Sequence, residues 1–323
     1  MKKLLAIVAG DPESINSEII AKTWRKKKIF KKTNIFVIGN YELIKSQLKI
    51  LHINCKIKKI NKLENTNFKN KLLIYDIPLS FKNSFKVKNE SKSKYILKSL
   101  NLAVKLSQNN KIIGFINCPI NKKDIFKKNI GVTEFLGKKL GIYGKEAMLI
   151  YNKKISVSPI TTHIKIKNIS KKISIDLIFN KIITIYNFYS KILKIKARIG
   201  IIGLNPHNSE LRKDSEEIRI IIPAIKKLKK RGINVYGPIP GDTAFLKKKL
   251  SNFDVLVGMY HDQVLSPFKA LFNFNAINIT LGLPFIRISP DHGTGKDIIK
   301  KNLGNPSSLI EAIKFFNKIN VKT

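Results

Sequence analysis

Cysteine is nearly absent from this 323-residue chain, which carries only Cys55 and Cys118. Two thiols cannot build a disulfide framework or a thiolate metal cage, and they point to a reducing compartment. Acidic residues are also scarce, 21 against 62 basic ones, giving a formal charge of +41. Such a surface could gain affinity for a polyanion by releasing its counterions. Only six of the cations are arginines, however: Arg25, Arg198, Arg212, Arg219, Arg231 and Arg287. The rest are lysines spread along the chain, with no aromatic interleaving of the kind RNA-binding modules use. Lysine, isoleucine and asparagine abundant together are what a strongly A+T-biased coding sequence produces. The expectation is a solvated lysine surface with no specific nucleic-acid partner, because net charge governs solubility and association rather than fold. Long apolar runs are missing too, so no membrane span is expected. Residues 1–10 have the charge and apolar order of a minimal signal peptide, but Asp11-Pro12 follows at once and a first buried strand explains them as well. Together these features predict a cytoplasmic protein. No G-x-G-x-x-G follows that first strand, so an ordinary Rossmann dinucleotide site is not supported.

What is present is alternation. Apolar runs at 4–9, 35–38, 72–75, 112–116, 147–151, 155–160, 198–203, 235–236, 254–259 and 276–280 read as strands, separated by lysine-flanked helical stretches. That order predicts α/β architecture. Helices are expected at 93–108, where apolar residues follow a helical period, at 215–230, which opens on Ser215-Glu216-Glu217, and at 309–318. A hairpin-like pair around Lys153-Lys154 interrupts the alternation, and glycines at 131, 137, 141 and 144 mark a change of domain near 130–145.

Histidine is rare, with five in all, and three stand just past apolar runs. His163 closes Pro159-Ile160-Thr161-Thr162-His163, His207 closes Gly203-Leu204-Asn205-Pro206-His207, and His261 follows Gly258-Met259-Tyr260. Ligands of α/β proteins collect at the carboxyl ends of strands, so imidazoles placed there from separate strands can converge on one divalent ion. Any one of them alone is equally explained as a core histidine satisfied by a single hydrogen bond. Asp242 and Asp262 could bind the ion or orient a ligand from behind. Farther on, Lys269, Asn278 and Arg287 could hold phosphate or carboxylate, or could be surface residues. The glycines and hydroxyls of Ser289-Pro290-Asp291-His292-Gly293-Thr294-Gly295 would let backbone N–H groups approach a phosphate or cofactor.

The ordered motifs resemble the 4-hydroxythreonine-4-phosphate dehydrogenase family of pyridoxal phosphate biosynthesis over essentially the whole chain. The resemblance rests on Gly10-Asp11-Pro12 with Glu18, on Cys118-Pro119-Ile120-Asn121-Lys122, on Thr133-Glu134-Phe135-Leu136, and on the three histidine segments. It continues through Gly237-Pro238 with Asp242-Thr243, Asp262-Gln263, Pro267-Phe268-Lys269 and the stretch from Gly282 to Thr294. It implies an isocitrate/isopropylmalate-dehydrogenase-like fold of two α/β domains with a cleft between them. One domain would span 1–135 plus 283–323 and carry both termini; the other, 136–282, would serve metal binding and dimerisation. It further implies a homodimer with active sites near the subunit interface, a divalent metal (zinc, magnesium or cobalt) on His163, His207 and His261, and substrate contacts at Thr133, Lys269, Asn278 and Arg287. Cofactor contacts to NAD or NADP are expected at Asp291, His292, Gly293 and Thr294, with Asp242 and Asp262 as the catalytic candidates.

Some positions depart from the family pattern. Val132 stands where a histidine precedes the threonine, replacing a possible phosphate donor by an alkyl group. Residues 13–17, Ser209, Leu211, Arg212 and Val264 stand where glycines are expected, and Pro290 and Lys296 lie in the cofactor stretch. The implied reaction is NAD-dependent oxidation of 4-phosphooxy-L-threonine at C3, with decarboxylation to 3-amino-2-oxopropyl phosphate. Three alternatives remain at this stage: a related metal-dependent dehydrogenase of another phosphorylated hydroxy acid, an inactive remnant that still folds, and a basic nucleic-acid-binding protein.

Overall fold

A computed structural model describes residues 3–30, 33–64, 66–68, 70–121, 125, 131–142, 144–273 and 276–319; Lys122 of the Cys118-Pro119-Ile120-Asn121-Lys122 motif lies outside them. The chain divides into two compact units, Met1–Asn129 with Pro284–Thr323, and Ile130–Leu283.

In the first unit the strands are β1 (Lys3–Val8), β2 (Thr33–Gly39), β3 (Ile57–Ile60), β4 (Leu72–Asp76), β5 (Gly114–Asn117) and, from the C-terminal part, β12 (Ile286–Pro290). They lie in the order β3-β4-β2-β1-β5-β12, every pair parallel. Parallel strands are covered on both faces and read as unbroken apolar runs. Leu5, Ala6, Val8, Phe36, Val37, Ile38, Phe115 and Ile116 are accordingly without solvent exposure. The helices are α1 (Asn16–Arg25), α2 (Tyr41–Ile50), α3 (Asn89–Gln108) and α11 (Ser307–Lys318). Asn40 caps α2 by accepting from the Leu43 amide at 2.8 Å, a choice that satisfies one of the orphan N–H groups of the first turn.

Two strands escaped the sequence pattern. β3 reads Ile-Lys-Lys-Ile and forms the outer edge, where lysines oppose edge-to-edge pairing and hide the apolar signal. β12 falls in a stretch expected to bind ligand, but Ile286, Arg287 and Ile288 are buried in succession and pair with β5.

In the second unit the strands are β6 (Ala147–Tyr151), β7 (Ser156–Thr161), β8 (Ile199–Ile202), β9 (Val235–Ile239), β10 (Val255–Tyr260) and β11 (Ile277–Leu281), ordered β11-β6-β7-β10-β8-β9. β6 is antiparallel to both neighbours, so the Lys153-Lys154 hairpin is real, and β7, β10, β8 and β9 run parallel. The helices are α4 (Val132–Lys139), α5 (Ile169–Lys172), α6 (Ile175–Asn187), α7 (Ile222–Lys229), α8 (Gly241–Ala244), α9 (Lys247–Leu250) and α10 (His261–Phe272). The helix expected at 215–230 is present, opening on a π turn, Glu217–Ile221, that runs directly into α7. Pro223 has no N–H to return to the carbonyl four residues back, which accounts for the wider turn before it. A core of Met148, Ile150, Val157, Ile202, Leu256, Val264 and Phe268 underlies the parallel strands. Val264, buried within α10, occupies ordinary helical backbone and needs no glycine.

Candidate active site

Strands β7, β10 and β8 are successive neighbours, and His163, His261 and His207 follow their carboxyl ends. The first two come together. Thr161 Oγ1 donates to the Met259 carbonyl at 2.7 Å, tying β7 to β10, and the His163 and His261 ring centroids lie 6.2 Å apart. Their side chains are 41% and 36% exposed, open to a ligand rather than sealed in the core.

Each histidine has a carboxylate behind it. His163 Nδ1 lies 3.2 Å from Glu134 Oε1, and His261 Nδ1 lies 2.7 Å from Asp262 Oδ1. His207 Nδ1 faces Asp242 Oδ2 at 3.9 Å. An Nδ1–H turned to a carboxylate leaves the Nε2 lone pair facing away, which is the second-shell pattern of metal-ligating histidines. The donor set therefore suits a borderline divalent ion. The assembly within one chain is incomplete, since no group of three His, Cys, Asp or Glu side chains among the described residues has metal-holding geometry. His207, 73% exposed, is the member left apart.

Glu134 was not singled out from the sequence. It rises from the first turn of α4, and Thr162 Oγ1 also donates to its Oε1 at 3.0 Å. Burial opposes ionisation of Glu134, but the hydrogen bonds from His163 and Thr162 outweigh it and hold the carboxyl at about 2. Beside it, Gly131 leaves room that a Cβ would take from Glu134 Oε2.

The His207 turn is built unusually. Residues 207–211 all have positive φ, between 49° and 57°, and none is glycine. For L-residues this conformation costs about 1–2 kcal/mol each, so other contacts must hold it. Glu217, fully buried, accepts from the Leu204 and Asn205 amides at 2.8 and 2.9 Å and from Asn205 Nδ2 at 3.0 Å. Burial pushes the Glu217 carboxyl up, but these donors prevail and set it below the ordinary glutamate range. Asn208 Nδ2 donates to the Pro238 carbonyl at 3.1 Å. Of the residues standing at expected glycines, Ser209 and Leu211 take positive φ, whereas Arg212 has φ −59° and residues 13–17 avoid it altogether. Ser209→Gly is therefore expected to stabilise the metal-free protein by about 0.5–1 kcal/mol, the αL penalty less the added unfolded-state entropy. Arg212→Gly should give no such gain, and thermal melts of the two variants side by side check the difference.

The expected substrate residues divide between the units. In the second, Thr133 Oγ1 hydrogen-bonds Thr280 Oγ1 at 3.1 Å, and Asn278, two residues earlier on β11, has a buried Oδ1 with no partner among the described residues. Lys269 lies two turns beyond His261 on α10, and Val132, buried, is the first residue of α4. In the first unit Arg287 is 3% exposed and donates through Nε to Asn117 Oδ1. The stretch after β12 is held in place by its backbone: the Asp291 amide donates to Ser308 Oγ at 2.8 Å and the Ile15 amide to the Thr294 carbonyl at 3.1 Å. His292 Nδ1 contacts the Gly293 carbonyl, its Nε2 is buried with no partner among the described residues, and burial lowers its pKa. The space beside Gly293 is open for 4 Å.

Comparison with known proteins agrees with the motif reading. The family model described as pyridoxal phosphate biosynthetic protein PdxA matches residues 31–316. A 4-hydroxythreonine-4-phosphate dehydrogenase of Sulfurihydrogenibium sp. is 39% identical over 96% of both chains, and one of Aquifex aeolicus is 37% identical over 99% of both. A protein of Oceanobacillus iheyensis described as a candidate D-threonate 4-phosphate dehydrogenase is 32% identical, covering 97% of this chain and 96% of its own. Among solved structures, the Klebsiella pneumoniae 4-hydroxythreonine-4-phosphate dehydrogenase superposes with a TM-score of 0.85 at 28% identity over 98% of each chain. A β-decarboxylating dehydrogenase of Thermococcus kodakarensis, 11% identical with a TM-score of 0.52 over 98% of this chain and 84% of its own, shares the fold, as the resemblance implied. The chain belongs to the PdxA family of pyridoxal phosphate biosynthetic proteins.

Proposed function

We propose that the protein oxidises the C3 hydroxyl of 4-phosphooxy-L-threonine, passing hydride to NAD or NADP, and that the resulting β-keto acid loses CO2 to give 3-amino-2-oxopropyl phosphate. The single observation that carries this reading is the row of three imidazoles at the ends of adjacent parallel strands, each backed by a carboxylate. His163, His207 and His261 would hold a divalent ion (zinc, magnesium or cobalt), which supplies Lewis-acid polarisation of the alcohol oxygen and of the keto oxygen during decarboxylation. The other roles belong to the protein. Glu134 and Asp262 keep the imidazole protons of His163 and His261 on Nδ1 and so keep those ligands oriented, and Asp242, 3.9 Å from His207 Nδ1, would do the same for His207 on a closer approach. Lys269 and Arg287 would neutralise the substrate phosphate, Thr133 would donate a hydrogen bond to it, and Asn278, whose Oδ1 has no partner among the described residues, would fix the substrate's orientation. Asp291, His292, Gly293 and Thr294 receive the dinucleotide, whose hydride-accepting ring must face C3.

The working unit in this reading is a homodimer. Large apolar side chains are exposed beside the histidine turns: Ile164 and Ile166 after His163, and Leu211 after His207. A second copy would cover these residues and complete the ligand set that one chain leaves open. The partners are otherwise small molecules, with no specific nucleic acid. No helix among the described residues is long and apolar enough to cross a membrane. The two free thiols fit a cytoplasmic setting.

A second substrate has a specific observation in its favour. Val132 sits directly before Thr133 and cannot donate a hydrogen bond, and a 32% identical relative is described as acting on D-threonate 4-phosphate. Purified protein given each substrate with NAD decides between them. The reading predicts NADH and CO2 in equal amounts from 4-phosphooxy-L-threonine and a kcat/KM at least about tenfold lower for D-threonate 4-phosphate, equivalent to roughly 1.4 kcal/mol of transition-state binding. The reverse order would transfer the assignment to the second substrate.

A further inference from the structure

His207 and His261 leave neighbouring parallel strands, but the β10–β8 ladder runs only through Val255–Ile199, Leu256–Gly200 and Val257–Ile201. Two residues further along each strand, at Met259 and Gly203, a side chain stands in for the missing peptide group. Gln263 Oε1 accepts from the Met259 amide at 2.6 Å, and Gln263 Nε2 donates to the Gly203 carbonyl at 2.6 Å. We propose that Gln263 is a positioning residue for the divalent-ion site: its amide splints the His207 turn to the start of the His261 helix, so that each imidazole is set in place on its own segment before the ion arrives.

The residue type follows from the two ends of the splint. Gln263 is the third residue of α10, the position from which a glutamate or glutamine commonly reaches back to an orphan amide at a helix start. A glutamate would serve that purpose and would suit the positive end of the helix better. It has no N–H, however, and would set an anionic oxygen against the Gly203 carbonyl, so the second bond requires the amide. The surroundings are cut to fit. A Cβ on Gly258 would lie 2.7 Å from Gln263 Oε1 and 2.6 Å from Val264 Cγ1, and the site of a Cβ on Gly241, the residue before Asp242, is 3.9 Å from Gln263 Nε2. The segments carrying His207, His261 and Asp242 thus meet at one side-chain amide. Glu217 secures the far side of the same turn through the Leu204 and Asn205 amides.

The inference rests on the reading of His207 and His261 as ligands, and the test separates the two. Chelator-stripped full-length protein is titrated with Zn2+ by calorimetry as wild type, Gln263→Glu and Gln263→Ala, with hydrogen exchange of the Met259 amide and circular dichroism recorded on the stripped forms. Gln263→Glu keeps the side chain's size and its acceptor for Met259, so it decides the matter if the alanine variant fails to fold. The expected result is a folded Gln263→Glu protein whose Zn2+ affinity is about ten- to a hundredfold weaker, with kcat reduced and the KM for NAD unchanged. In a folded Gln263→Ala protein the Met259 amide should also exchange faster. Zn2+ affinity equal to wild type in either folded variant would overturn the splint while leaving the ligand reading intact. Wild-type protein that binds no Zn2+ would overturn the ligand reading, and the splint with it.

Discussion

His207→Ala is expected to abolish metal-dependent NADH formation while leaving the fold untouched. The side chain is 73% exposed, and its nearest charged neighbour, Asp242, stands 3.9 Å away. Removing an exposed side chain with no core contact changes stability by about 0.5 kcal/mol or less. The chemistry behaves differently. Polarisation of the alcohol and of the keto group is worth several kcal/mol at the transition state, so a lost ligand should cost about a thousandfold or more in kcat. Initial rates with and without added Zn2+, beside a thermal melt, measure both halves of the expectation. Full activity in the variant would remove His207 from the site.

Weakening the support behind His163 should have the next largest effect. Glu134 is fixed by Thr162 and in turn fixes the His163 ring. In Glu134→Gln the amide carbonyl can still accept from Thr162, but the charge behind the imidazole is gone. Divalent-ion affinity should fall about ten- to a hundredfold, the usual cost of losing a second-shell partner. Gly131→Ala should reach the same end from another direction. Its Cβ would press on Glu134 Oε2 and lie 3.3 Å from His163 Cε1. The atom displaced is the end of a flexible side chain, so the cost should appear in ion affinity more than in melting temperature. Calorimetric titration of both variants with Zn2+ checks this, and wild-type affinity in both would show that Glu134 does not orient a ligand.

The strand ends were the legible part of the site, for a physical reason. Parallel strands buried on both faces produce apolar runs that stop where the chain reaches the ligand-bearing edge, and a histidine at that point announces its position. Glu134 gave no such signal. It lies 29 residues before His163 on another element, and only the packing of α4 brings the two together. Glu217 and Gln263 stood in recognisable segments, at a helix opening and in the Asp262-Gln263 motif, but their tethering roles were hidden for a related reason. Their contacts run to the ends of β8 and β10, which are neighbours only because the chain crosses over between them. β12 misled because its arginine broke the apolar run, although burial of Arg287 against Asn117 is what makes it a strand residue. The glycine departures were legible as positions but not as conformations. Val264 turned out helical and Arg212 ordinary, whereas Ser209 and Leu211 took the strained backbone.

The central claim is that the three strand-end histidines form a divalent-ion centre on which the oxidation depends. Its most direct measurement is NADH formation from 4-phosphooxy-L-threonine by chelator-stripped protein, titrated with Zn2+, Mg2+ or Co2+. No activity before addition, and its return to a plateau as one of these ions is added, is the predicted result. An undiminished rate in the stripped protein, unaffected by any of the three ions, would contradict the account.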